Sequence, residues 1–89
     1  MLAAAVGLFA VGVAAPAFAT TEYPEGGTWY YGVEWSENYS DYHHPDKFHG
    51  SSVENGNGLV RSDCELLRSW AYASQPATWW GNKAHYRFC

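Results

Sequence analysis

From residue 20 onward the sequence predicts an all-β fold of short strands arranged as two packed antiparallel sheets or a small barrel. Three observations support this. No apolar stripe at helical spacing lasts the roughly eleven residues that a helix requires. Alternation of apolar and polar side chains recurs throughout, which is the period of a strand with one buried face. Pairs of Gly, Asn, Pro and Asp, the residues that adopt or initiate tight turns, punctuate the alternating segments.

In TWYYGVEW, residues 28–35, Trp29, Tyr31, Val33 and Trp35 fall on one face, with Thr28, Tyr30, Gly32 and Glu34 on the other. A second strand is expected over residues 38–43. There Tyr39 and Tyr42 have opposite parity, so one of them points outward unless a bulge intervenes. HPDK, residues 44–47, predicts a turn, because Pro45 fixes φ and Asp46 can bond its own backbone. Residues 48–54 form the third expected strand, weakened by Gly50, Ser51 and Ser52, and NGNG at 55–58 is the strongest hairpin signal in the chain. Residues 59–66 alternate again, with Val60, Ser62, Cys64 and Leu66 expected to face inward. In the fifth strand, RSWAYAS at 68–74, Trp70 and Tyr72 lie on one face and Ala71 and Ala73 on the other, and Trp70 is expected as a core aromatic ahead of the break at Pro76. After a Gly81-Asn82 turn, KAHYRF at 83–88 sets Lys83, His85 and Arg87 against Ala84, Tyr86 and Phe88.

The first nineteen residues, MLAAAVGLFAVGVAAPAFA, carry no charge and end in the small-x-small pattern Ala17-Phe18-Ala19. They predict a signal peptide cleaved after Ala19, the alternative being a retained membrane anchor; no Lys or Arg precedes the apolar run. Residues 20–89 are then one small secreted domain holding all five basic and all nine acidic residues of the chain, for a net charge of −4. That balance argues against nucleic acid, whose binding rests on Lys and Arg neutralising phosphates, and against a cationic helix lying on anionic lipid. A domain this small needs help from large rings or cross-links. All five Trp and all seven Tyr fall in this part. Export also exposes Cys64 and Cys89 to an oxidising compartment, which predicts a disulfide. Cys64 has inward parity and Cys89 has the parity of Lys83, His85 and Arg87, so either the last strand frays at its end or Cys89 pairs with a second molecule; monomer and disulfide-linked dimer both remain open.

GTW at 27–29, YSDYHHPDKFH at 39–49, WAYA at 70–73 and KAHYR at 83–87 resemble, in that order, the lactococcin 972 family of bacteriocins. The central pattern, Tyr-Ser-x-Tyr-His-His-x-x-Lys-x-His, fixes seven positions in eleven residues. The resemblance implies an exported, unmodified bacteriocin, folded as a small β-sandwich of two three-stranded antiparallel sheets. It further implies that the protein blocks septum or peptidoglycan synthesis by engaging lipid II at the membrane surface without forming pores. It implies no enzyme and no cofactor. The cysteine pair and the acidic balance depart from the family pattern.

Lipid II offers a pyrophosphate, two sugars and a short peptide, so its receptor requires cationic or N–H donors beside flat rings. Lys47 is a compact charge suited to a phosphate oxygen, His43, His44 and His49 can donate from a ring nitrogen, and Trp29, Tyr39 and Tyr42 can stack on a sugar. These seven residues are the candidate ligand-binding set; read structurally, the same tyrosines are core, the histidines bond turn carbonyls and the lysine is solvated. A metal site is disfavoured because adjacent His43 and His44 point to opposite faces of a strand. Catalysis by Ser40, Asp41 and His43 lacks a supporting motif. Of Trp79 and Trp80, one is expected to face the core and the other to be exposed, either as a partly covered edge residue or within reach of a lipid headgroup or a glycan. The competing reading is a non-lethal extracellular glycan-binding or structural protein of the cell envelope.

Overall fold

The computed structural model describes residues 19–89. Of the segment assigned to a signal peptide, everything before Ala19 lies outside the described residues.

Among the described residues seven strands form two antiparallel sheets: β1 (Ala19–Glu22), β2 (Thr28–Glu34), β3 (Glu37–His43), β4 (His49–Asn55), β5 (Gly58–Arg61), β6 (Trp70–Pro76) and β7 (Lys83–Phe88). The first sheet has the order β1-β2-β3-β6 and the second β5-β4-β7. The all-β sandwich is therefore present, with four strands facing three rather than three facing three. The added strand is β1, whose four residues pair from Ala19 opposite Gly32 to Glu22 opposite Trp29. Its ATTE sequence has no apolar alternation to mark it, and only the register reveals it.

The centre of the sandwich is narrow and polar. Ala71 and Ala73 on β6 and Ser40 on β3 face Ser51 and Val53 on β4, all buried. Hydroxyls and amides tie the two sheets together: Ser40 Oγ donates to the His85 carbonyl at 2.9 Å, Ser51 Oγ to the Ala71 carbonyl at 2.9 Å, and Gln75 Nε2 to the Gly58 carbonyl at 2.8 Å. Asn38 Nδ2 reaches the carbonyls of Glu54 and Lys83, both at 3.4 Å. No buried side-chain nitrogen or oxygen among the described residues lacks a partner, so this polar centre carries no desolvation penalty from unpaired groups.

The large rings gather at one end. Tyr42, fully buried, packs against Tyr86 at 4.6 Å between centroids and against His49 at 5.6 Å, and its hydroxyl donates to the Pro24 carbonyl at 3.1 Å. Gly27 lies under this ring; a Cβ there would come within 2.6 Å of both Tyr42 Cε1 and the His43 carbonyl. Beside it, Trp29 stacks on Tyr31 and donates Nε1–H to Ser40 Oγ at 2.9 Å.

Three expectations are corrected. Trp70 is not core: β6 buries Ala71, Ala73 and Gln75 and turns Trp70 and Tyr72 outward, because beside the Tyr42 ring and opposite Ser51 and Val53 the space left at β6 takes small side chains and the hydrogen-bonded Gln75. The expected inward face of residues 59–66 is exposed instead. β5 ends at Arg61, and β3 and β6 pack mainly on β4, with β6 reaching β5 through the Gln75–Gly58 hydrogen bond, leaving Val60 and Leu66 in solvent. Trp79 and Trp80 lie in the β6–β7 connection rather than on a strand, so neither faces the core.

The end of β5 also settles the geometry of the cysteines. Beyond Arg61 the chain returns to β4 through an isolated bridge in which Glu65 pairs with His49, while Phe88 of β7 pairs with His49 from the other side. Cys64 and Cys89 thus flank one residue of β4, with Cα atoms 6.3 Å apart, and their sulfurs are joined within the chain. Strand parity does not constrain Cys64, because residues 62–64 are not in a strand.

Candidate functional site

The outer face of the four-stranded sheet carries the side chains that the narrow interior excludes. Register fixes their rows. Tyr30, Asp41 and Tyr72 lie side by side across β2, β3 and β6; Thr28, His43 and Trp70 form the next row toward one end, and Gly32, Tyr39 and Ser74 the next toward the other. The rings are nearly parallel: Tyr30 and Trp70 stack with centroids 5.1 Å apart at 22°, and Trp70 and Tyr72 stack 6.2 Å apart at 18°. His43 leans against Trp70 at 5.1 Å. Together they form an aromatic shelf of stacked rings beside which a carboxylate stands.

Beyond that carboxylate the face dips into an open hollow of about 400 Å³ lined by Glu34, Trp35, Glu37, Tyr39, Asp41, Tyr72 and Ser74. Partial burial between tyrosines raises the Asp41 carboxyl from its ordinary 3.8 to about 6. Burial, followed by the charges of Glu34 and Asp41, pushes the Tyr39 hydroxyl up to about 12, which keeps it a hydrogen-bond donor. The hollow therefore presents acceptors and negative charge, with a tyrosine hydroxyl beside them. Such a surface suits hydroxyl-rich or cationic groups and repels phosphate.

The predicted site residues separate. Tyr39 and His43 are on this outer face. Trp29 and Tyr42 are on the inner face, where their polar atoms are bonded. His44 is 3% exposed and holds the turn after β3: the backbone N–H groups of Asp46 and Lys47 donate to its Nδ1 at 3.0 and 3.2 Å, so the proton is on Nε2, which faces the Glu25 carbonyl at 2.9 Å. His49 is fully buried, its ring nitrogens each 2.7 Å from the carbonyls of Lys47 and Ser69. Tyr42, His44 and His49 are thus buried with their polar atoms bonded, whereas Trp29 is half-buried with its N–H already bonded. Lys47 is exposed, with Nζ 4.8 Å from the centre of the Phe88 ring, at the end of β3 opposite the hollow. Ser40 faces inward while Asp41 and His43 face outward, so these three do not converge. Among the described residues no group of three or more His, Cys, Asp or Glu is placed to hold a metal ion.

Sequence reasoning omitted Tyr30, Asp41, Trp70 and Tyr72 from the site. The signal was available in the parity of YSDYH, since Tyr39, Asp41 and His43 share a face opposite Tyr42. What was missing was the knowledge that β6 lies beside β3 in the register that puts Tyr72 next to Asp41.

Residues 25–86 match the family model described as Bacteriocin (Lactococcin_972). No curated protein and no solved structure matches the chain.

Proposed function

Because the chain belongs to the lactococcin 972 family of bacteriocins, we propose that it acts on other bacteria as an exported protein that binds lipid II and blocks peptidoglycan synthesis at the septum without forming pores. The observation that carries this reading is the aromatic shelf with Asp41 beside it. Tyr30, Trp70 and Tyr72 offer a parallel stack whose exposed edges and outer ring faces can pack against the pyranose rings, and Asp41 accepts hydrogen bonds from sugar hydroxyls or from an amine of the stem peptide. Glu34 and Glu37 border the hollow and oppose a pyrophosphate there. Recognition accordingly runs through the sugars and the peptide, whereas the sequence pointed to the pyrophosphate as well as the sugars, through Lys47, the histidines, Trp29, Tyr39 and Tyr42.

The test is binding to purified lipid II compared with undecaprenyl phosphate and with soluble peptidoglycan fragments. Lipid II and the fragments are expected to bind and undecaprenyl phosphate is not. Trp70→Ala and Tyr72→Ala are expected to weaken binding about tenfold or more with the fold intact. If only undecaprenyl phosphate competes, or if both variants bind like the parent, the shelf is not the site. Binding to glycan fragments with no inhibition of growth of any test bacterium would favour the envelope-protein reading.

A further inference from the structure

At one end of the sandwich, three indoles stand in solvent: Trp35 and Trp79 are each 90% exposed and Trp80 is 70% exposed. Trp35 is on the tip of the β2–β3 hairpin and the other two are on the β6–β7 connection. The two tips are neighbours, because Ala77 N–H donates to the Ser36 carbonyl at 2.9 Å.

This exposure is built into the fold. Trp35 and Ser36 are the two loop residues of the hairpin closed by Glu34 opposite Glu37, and both have positive φ, 52° and 62°. A two-residue turn of that kind favours Asn, Asp and Gly, and a bulky side chain there is strained. Trp35 accepts that strain and gains no packing within the chain. The β6–β7 connection, for its part, is a bonded loop. Asn82 Nδ2 donates to the Thr78 carbonyl at 2.7 Å, Thr78 N–H to Asn82 Oδ1 at 3.0 Å, Thr78 Oγ1 to the Trp80 carbonyl at 2.7 Å, and Asn55 Nδ2 reaches across from β4 to Asn82 Oδ1 at 3.1 Å. A loop held in this way presents Trp79 and Trp80 in a fixed place.

We propose that this end of the sandwich docks the protein on a lipid bilayer, with the indoles of Trp35, Trp79 and Trp80 seated at the boundary between headgroups and acyl chains. The chemistry selects the partner. Indole joins an apolar body to one N–H donor, the combination that concentrates at the membrane–water boundary. Charge selects the mode of attachment. Glu34 and Glu37 flank the hairpin tip, Lys83 is the one cation at the start of β7, and the chain as a whole carries −4. Attachment is therefore through the rings and not through anionic headgroups, so it survives salt and gains nothing from anionic lipid. No helix among the described residues is long and apolar enough to cross a membrane, which agrees with seating at the surface. Trp35 also lines the hollow beside Asp41, so a docked protein holds that hollow at the membrane surface. That last consequence rests on the proposed function; the docking does not.

The experiment uses the folded, disulfide-bonded protein and phosphatidylcholine vesicles that contain no lipid II, so a failure here is distinguishable from a failure to bind the precursor. Co-sedimentation, a blue shift of tryptophan emission and quenching by brominated acyl chains are expected, unchanged at high salt and no stronger when phosphatidylglycerol is added. Trp79→Ser with Trp80→Ser should lower partitioning on the order of tenfold. Trp35→Asn should lower it too while raising the melting temperature, a pairing that misfolding does not produce. Absence of co-sedimentation, a triple variant that partitions like the parent, or binding that requires phosphatidylglycerol and is lost in salt would each overturn the proposal. So would a dimer abolished by the same substitutions with no vesicle binding, which would assign this end to a second copy of the chain.

Discussion

Replacing Asp41 with Asn separates what this carboxylate does for the fold from what it does for a ligand. Burial between Tyr30 and Tyr72 raises its pKa from 3.8 to about 6. The folded protein therefore holds a proton more tightly than the unfolded chain between these values, and stability falls as pH rises through that window. Below pH 3.8 the carboxyl is neutral in both states and costs nothing; above pH 6 it is charged in both, and the folded state bears the full desolvation cost. Two pKa units correspond to about 3 kcal/mol, and because the group is partly solvated we discount this to roughly 1–2 kcal/mol. Asn keeps the shape and has no charge to desolvate. In urea titrations Asp41→Asn is expected to match the parent near pH 3.5 and to exceed it by about 1–2 kcal/mol at pH 7.5, a gain of several degrees in melting temperature. Binding should move the other way. The ionised carboxylate is the better acceptor, so parent affinity for glycan fragments should rise between pH 5 and 7.5, while the variant binds weakly and without that dependence. Equal stability of parent and variant at pH 7.5, or a variant less stable at every pH, would refute the burial argument. A variant that retains the pH-dependent rise in affinity would refute the role in binding.

Tyr42→Ala should cost about 3–5 kcal/mol and Tyr42→Phe about 1 kcal/mol, whereas Trp70→Ala should cost well under half of the former; denaturant midpoints of the three variants check which faces of β3 and β6 are core. Opening the Cys64–Cys89 bridge by Ser substitution at both positions should remove about 3–4 kcal/mol, given the 25-residue separation, and non-reducing electrophoresis of the parent should show a monomer with no thiol to label. Gly27→Ala, with its Cβ driven into the Tyr42 ring and the His43 carbonyl, should lower stability by about 1–3 kcal/mol and shift the Tyr42 ring resonances.

Strand boundaries were legible wherever turn chemistry and alternation agreed. NGNG and the Gly81-Asn82 pair mark the starts of β5 and β7 to within a residue, and HPDK marks the end of β3. Alternation gives two faces to each strand, but it does not say which of them is inside. On β6 hydrophobicity favoured burying Trp70 and Tyr72, and close packing of the sheets reversed that choice. On β5 alternation was present yet its side chains stay exposed, because this edge strand lies mostly beyond the span of the facing sheet and meets β6 through the Gln75–Gly58 hydrogen bond. The histidines misled for a related reason. A run of polar, ring-bearing residues reads as a binding cluster, yet His44 and His49 have no free polar atom once the turns they brace have formed. Whether a histidine serves a ligand or a turn is decided by carbonyls and amides distant in sequence, among them those of Glu25 and Ser69.

The narrow interior and the aromatic exterior have one cause. Ala71, Ala73, Ser40 and Ser51 let the sheets approach until hydroxyls on one bond carbonyls on the other, and these bonds fix the register, since a one-residue slip would break every one of them. That slip would also turn Trp70 and Tyr72 into a space too small for them and lift the alanines to the surface. The register that satisfies the polar core is thus the one that raises Trp70 and Tyr72 beside Tyr30 and Asp41. An aliphatic core would tolerate repacking and give this shelf less definition. Hydrogen bonds across the sheets, worth little each in net stability, specify which rings the protein shows to its surroundings.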